Sequence, residues 1–89
     1  MENEDVQNSN IEELQSLVKE DPNDVLSRLS LANAYFGADK IEKAQEEYKK
    51  VLKIEQDEED ALYNLGICLV INKNYSEAAN YFEKFLKVC

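Results

Sequence analysis

Ligands for metals and cofactors are scarce in this sequence. It contains no histidine, and its two cysteines, Cys68 and Cys89, lie far apart. Zinc and haem sites need such side chains in close groups, so we expect neither a metal nor a cofactor. Two cysteines do not form a disulfide framework either, and Cys68 fits a small buried position within a helix. A reducing compartment suits this usage, and we predict a cytoplasmic location.

Long apolar runs and positive charge are also scarce. No run approaches the roughly 20 residues that a membrane-spanning helix needs, and the first ten residues, MENEDVQNSN, are unlike a signal or transit peptide. Ten Lys and Arg stand against 19 Asp and Glu, for a net charge of −9. Because phosphate contact needs cations, we expect no nucleic acid and no membrane as partner. A basic or neutral protein suits the charge, unless it serves solubility alone.

Catalytic motifs are missing as well. The sequence has no Gly-rich phosphate loop and no GxSxG motif. Its densest acidic run, residues 55–60, lacks the spacing and the glycine of an EF-hand, and acids in this place suit the start of a helix. We therefore predict that the protein is not an enzyme.

Residues 31–52, LANAYFGADKIEKAQEEYKKVL, have the pattern of two short amphipathic helices. Apolar or small residues recur every three or four positions, on one face of each helix, and alanines allow a close antiparallel pair. The pattern returns 34 residues later, with large residues aligned to large and small to small: Leu31 with Leu65, Ala32 with Gly66, Ala34 with Cys68, Tyr35 with Leu69, Ile41 with Tyr75, Ala44 with Ala78, Tyr48 with Phe82 and Leu52 with Leu86. This period and size pattern resemble the tetratricopeptide repeat family.

The resemblance implies an all-α fold, an α-solenoid of antiparallel helix-turn-helix repeats. We predict a disordered acidic lead over residues 1–9 and a repeat domain over 10–89. That domain has an orphan helix over 10–20, one repeat over 24–56 and another over 57–89. The predicted helices are 11–20, 25–37, 40–54, 60–71 and 75–88, which makes two full repeats and one half repeat.

Turn and cap residues support these boundaries. The tetrapeptide 21–24, DPND, matches the DPN-like turn that ends repeats in the family. Gln56 replaces the proline in the next repeat, which predicts either a looser turn or more continuous helices there. Asp24 is a candidate N-cap, and three pairs match the capping box: Asn10 with Glu13, Asp39 with Glu42, and Asn74 with Glu77. Arg28 and Leu62 depart from the large aromatic expected early in each repeat.

The resemblance also implies a concave groove, lined by the first helix of each repeat, that holds an extended or helical peptide. By position, the partner-binding residues are Leu29, Asn33, Phe36, Tyr63, Asn64, Ile67, Val70 and Ile71, with Leu26, Gly37 and Asp60 beside them. Helical spacing independently puts the apolar members away from the core stripe, and a second apolar face indicates a further contact. The alternative is that this face packs against the orphan helix or a neighbouring chain.

One branch of the family, found in co-chaperones, clamps a C-terminal carboxylate with lysine, asparagine and arginine. Asn33 and Asn64 fall at its asparagine positions, but Leu29 stands at the first lysine position. The other cations are missing, so we do not expect carboxylate clamping.

The last predicted helix places Ala78, Phe82, Phe85 and Leu86 inward and ends without a polar capping helix. We therefore expect either a fragment of a longer repeat protein or a chain that pairs with itself. We predict a protein–protein interaction module that binds a basic or amphipathic segment of a partner protein. The alternative is a homo-oligomer or scaffold that self-associates through apolar faces that include Phe85 and Val88.

Overall fold

The computed structural model describes residues 2–89, with side chains from Asn10 onward, and this part of the chain contains five helices and no strand. They are α1 (Glu2–Glu20), α2 (Val25–Gly37), α3 (Ile41–Ile54), α4 (Glu59–Ile71) and α5 (Tyr75–Val88). Each helix packs mainly against the next one in the chain. This serial packing is that of an α-solenoid, and the predicted fold class is confirmed.

The first helix is longer than the sequence pattern predicts. We predicted a disordered lead over 1–9, whereas α1 begins at Glu2; Met1 lies outside the described residues. No proline or glycine occurs between Glu2 and Glu20 to end a helix. Acidic residues near the start also interact favourably with the helix dipole. A helix can therefore continue through residues that bring no apolar face of their own.

The two turns between repeat units have the same geometry despite their different sequences. In the first, the amide of Asp24 donates to the carbonyl of Asp21 at 3.1 Å. In the second, the amide of Glu58 donates to the carbonyl of Glu55 at 3.3 Å. Gln56 thus takes the place of Pro22 without changing the turn, and the looser connection that we predicted is not found.

The two turns within the repeats are also equivalent. Asp39 and Lys73 have positive φ angles of 62° and 65°. The amide of the residue after each of them donates to a carbonyl five residues earlier at 2.8 Å, Lys40 to Tyr35 and Asn74 to Leu69. This is the Schellman arrangement, which satisfies carbonyls at a helix C-terminus.

The predicted helix caps are largely wrong. Because Asp39 adopts the left-handed conformation, Lys40 stands at the N-cap of α3, and no side chain caps that helix. Asp24 and Asn74 are N-caps by position, but neither side chain makes a capping hydrogen bond. The cap that forms is Glu58, which accepts from the amide of Ala61 at 2.9 Å.

The core extends through all five helices, with Ile11 and Val18 of α1 in the same cluster as the buried residues of α2 to α5. Its largest fully buried side chains are Tyr48, Leu62, Leu65, Leu69, Val51 and Cys68. Ala32 and Ala44 are fully buried, as expected where two helix backbones approach closely. Gly66 occupies the position of Ala32 in the second repeat, and a β-carbon there would lie 2.5 Å from the ring of Phe82. Its lack of a side chain makes room for that ring.

Candidate functional site

The first helices of the two repeats expose large apolar side chains. Leu26 on α2 is 72 % exposed, and Tyr63, Val70 and Ile71 on α4 are 40–50 % exposed. The opposite sides of both helices are buried in the core. We call this surface the α2/α4 face and define it by Leu26, Asn33, Tyr63, Asn64, Ile67, Val70 and Ile71.

A hydrogen-bond network joins α2 to α4 across this face. The hydroxyl of Tyr48 on α3 donates to Asn33 Oδ1. Asn64 Nδ2 donates to the same oxygen at 3.3 Å. Tyr48 is fully buried, and burial, followed by the nearby Cys68, raises the pKa of its hydroxyl. The hydroxyl therefore stays protonated and holds Asn33 beside Asn64, among the residues of this face.

The predicted partner-binding residues fall into three groups. Asn33, Tyr63, Val70 and Ile71 are exposed, whereas Phe36, Asn64 and Ile67 are half-buried. Leu29 is only 8 % exposed and belongs to the core, so little of its side chain is open to a partner. The turn of α2 that contains Leu29 is covered because both α1 and α3 pack against α2.

Tyr63 lies at the edge of the α2/α4 face, where α4 meets α5. Its ring centroid is 5.2 Å from that of Phe85 and 5.9 Å from that of Phe82, in tilted geometry. Such pairs stabilise beyond the area that they bury. Tyr63 thus contributes to the packing of α5 as well as to the exposed surface.

The outer side of α5 is less covered than that of α3. In the first repeat Tyr48 and Val51 are fully buried, since α4 covers them; their counterparts Phe82 and Phe85 are half-buried. Leu86 is 73 % exposed, which corrects our prediction that it faces inward. Val88 is 37 % exposed. Leu86 has no following helix to contact within residues 2–89, whereas its counterpart Leu52 is half-buried.

The chemistry of the α2/α4 face is that of noncovalent contact. It combines apolar side chains, two amides and the exposed carboxylate of Asp60 in the first turn of α4. Among the described residues, no cluster of three or more His, Cys, Asp or Glu side chains could hold a metal ion. Over the same residues, every helix is too short or too polar to cross a bilayer.

Sequence reasoning missed a buried ion pair at the start of the first repeat. Arg28 is 9 % exposed. Its Nη1 donates to Glu47 at 2.8 Å, and its Nε and Nη2 donate to the carbonyl of Pro22 at 3.1 and 2.9 Å. Arg28 therefore joins the turn before α2 to α3. The only signal in the sequence is an arginine at a position where the family has a large aromatic residue.

Comparisons with known proteins agree with this architecture. The family model described as Tetratricopeptide repeat matches residues 29–87. The solved structure "MamA RS-1 ArsTM double mutant" is similar in fold, with a TM-score of 0.88 and 24 % sequence identity. The match covers 92 % of this chain and 46 % of that one, so the present chain spans less than half of its length. No curated protein matches.

Proposed function

Because this chain belongs to the tetratricopeptide repeat family, whose repeats generally mediate protein–protein interaction, we propose that its α2/α4 face binds a peptide or helical segment of a partner protein. The observation that supports this is the exposure of Leu26, Tyr63, Val70 and Ile71 on helices whose other sides are already buried. A helix of a small domain needs only one apolar face. A second one, on two adjacent helices joined through Asn33 and Asn64, suits a partner that covers both.

The charge around this face favours a basic amphipathic segment. Glu59 and Asp60 lie in the first turn of α4, four and three residues before Tyr63, and the chain carries a net charge of −9. A helix with an apolar stripe would bury that stripe against Ile67 and Ile71. Cationic residues on its flanks would then approach the carboxylates and speed association at low salt.

Titration calorimetry with a lysine–leucine amphipathic peptide tests this proposal. Leu26→Ser should weaken binding by about tenfold, since the lost burial of one leucine is worth about 1.5 kcal/mol or more. Leu86→Ser is the matched control, because Leu86 on α5 is exposed to the same extent, 73 % against 72 %. Equal weakening by both variants would refute the α2/α4 face as the site. Binding that does not respond to salt would refute the role of the acidic residues in it.

Self-association is the alternative function. Two features of α5 favour it: Leu86 is exposed, and Phe82 and Phe85 are only half-buried. The corresponding side of α3 is covered by the helix that follows it. A second copy could cover that side of α5. Light scattering across a wide concentration range would then give a mass that rises with concentration, and Leu86→Ser, but not Leu26→Ser, would abolish the rise.

We further propose that the protein acts in the cytoplasm as a non-enzymatic scaffold. Repeat proteins of this family are typically scaffolds rather than enzymes. Both cysteines are free, Cys68 buried and Cys89 exposed, and an exposed free thiol suits a reducing compartment. Fractionation of cells that produce the protein tests the location directly.

A further inference from the structure

A groove outside the α2/α4 face lies between the second helices of the two repeats. It has a volume of about 560 Å³ and is formed by the C-terminal halves of α3 and α5 together with the turn before α4. Lys49, Lys53, Lys84 and Lys87 surround a floor that includes Leu52 and Tyr81. We call it the lysine groove. None of the residues that define the α2/α4 face lines it.

The lysine groove concentrates positive charge in an acidic protein. Four of the ten basic residues of the chain line it, against a single acid, Asp57. Lys49 pairs with Glu77 at 3.5 Å, and Lys84 lies 5.3 Å from the ring centroid of Tyr81. Among residues from Asn10 onward, Lys53, Lys84 and Lys87 have no carboxylate within 4 Å. These three ammonium groups are available to an anionic ligand.

Helix stabilisation accounts for only part of this arrangement. Lys53 and Lys87 lie in the last turns of α3 and α5, where cations interact favourably with the helix dipole. Lys49 and Lys84 lie about one turn earlier, where the dipole effect is small. Like charges four residues apart on a helix, such as Lys49 and Lys53, cost some stability. Helix stabilisation therefore does not explain why all four lysines lie around one groove.

The floor of the lysine groove is apolar. Leu62 is almost fully buried, Leu52 and Tyr81 are half-buried, and Val88 is 37 % exposed at the rim. A ligand that fits must therefore combine anionic groups with an apolar anchor. A nucleic acid suits this less well, because its charged backbone would face a protein of net charge −9. A short acidic segment of a protein carries only a few charges, and these can all lie within the groove.

We infer that the lysine groove is a second docking site, which takes an acidic amphipathic peptide segment of a partner protein. Its carboxylates pair with Lys53, Lys84 and Lys87, and an aliphatic or aromatic side chain packs on Leu52 and Tyr81. The domain then has two separate surfaces with opposite charge preferences. The α2/α4 face takes a basic segment, and the lysine groove takes an acidic one.

Fluorescence anisotropy with a panel of labelled glutamate–leucine peptides that differ in leucine spacing tests the inference. At least one peptide should bind saturably to the whole chain, more weakly as salt rises. The double variant K53E/K84E should weaken that binding by about tenfold or more, as expected for charges within a contact surface. Lys43→Glu is the control: it changes an exposed lysine outside the groove, near the start of α3. It should change the affinity less than about twofold.

Three results would overturn the inference. The first is that no peptide of the panel binds saturably while circular dichroism shows the wild-type chain folded. The second is that Lys43→Glu weakens binding as much as Lys53→Glu or Lys84→Glu alone, since all three change the net charge equally and net charge alone would then govern the affinity. The third is that a thymidine oligonucleotide binds more tightly than the best peptide and is lost in K53E/K84E, which would make the groove a phosphate site.

Discussion

Arg28 and Glu47 form a buried ion pair, 2.8 Å between Nη1 and Oε1, that the second repeat replaces with apolar residues. Their side chains are only 11 % and 13 % exposed. One period further along, the same two positions are Leu62 and Tyr81, which together line the floor of the lysine groove. At these positions the two helices of the first repeat are joined by an ion pair, whereas the second repeat has apolar residues.

This relationship predicts strong coupling between the two positions of the first repeat. Arg28→Leu alone should lower the free energy of unfolding by about 2 kcal/mol, because it leaves the buried Glu47 carboxylate with only the more distant pairing to the exposed Lys50, at 3.5 Å. Glu47→Tyr alone should also be destabilising. The double variant, which copies the second repeat, should be close to wild type in stability. Urea unfolding of all four proteins gives the coupling; purely additive losses would contradict this account.

The two glycines predict opposite effects of the same substitution. Gly66→Ala should destabilise the protein by about 1–2 kcal/mol, since the new methyl group overlaps the ring of Phe82 and the shift costs more than the gain in helix propensity. Gly37→Ala is the matched control, with nothing within 4 Å of the added carbon and no positive φ. It should stabilise by up to about 1 kcal/mol. Thermal melts that rank the two variants in the reverse order would show that the close contact at Gly66 is absent.

Much of the fold is predictable from the sequence because the signal is periodic. The spacing of apolar residues in 25–37 and 75–88 predicts α2 and α5 to the residue. The extent of α1 is not predictable in this way, since residues 2–9 have no apolar stripe. Caps depend on local backbone geometry: Asp39 has the chemistry of an N-cap but takes the left-handed turn position.

The candidate site is predictable only in part, for a different reason. Helical spacing separates Tyr63 and Ile71 from the core stripe, but it does not show that neighbouring helices cover Leu29. Exposure of Leu86 likewise depends on which helices pack on α5. Arg28 pairs with a glutamate 19 residues away. Nothing in a single sequence distinguishes Glu47 from the other acids of α3 as its partner.

The left-handed turn residues predict a stabilising change. A lysine in this conformation costs about 1 kcal/mol relative to glycine, so Lys73→Gly should raise the free energy of unfolding by about 0.5–1 kcal/mol after the entropy of the unfolded chain is included. Asp39→Gly should gain less, since aspartate tolerates the conformation better. Chemical denaturation measures both. A loss of stability in Lys73→Gly would mean that the lysine side chain makes a stabilising contact of its own.

Cys68 predicts a loss of stability in alkaline solution. Burial raises the pKa of its thiol from about 9 to about 11, so the folded state holds this proton more tightly than the unfolded state. Stability from this thiol is complete below pH 9 and falls as the pH rises toward 11, by about 2–3 kcal/mol. The raised pKa of Tyr48 extends the decline above pH 10.

Cys68→Ala, which copies Ala34 of the first repeat, separates these two contributions. Its free energy of unfolding should be nearly constant between pH 9 and pH 10, where the wild type already declines. The measurement is urea unfolding at a series of pH values. Parallel pH profiles for the two proteins would mean that the Cys68 thiol is not responsible for the decline.

Residue-resolved NMR during a titration with the lysine–leucine amphipathic peptide tests the central claim most directly. The account predicts saturable shifts of the amide signals along the α2/α4 face, at Leu26, Asn33, Tyr63, Ile67 and Ile71. Signals of the lysine groove should not move. Shifts confined to α5, or no saturable shifts in a folded protein, would contradict the claim that this face binds a partner segment.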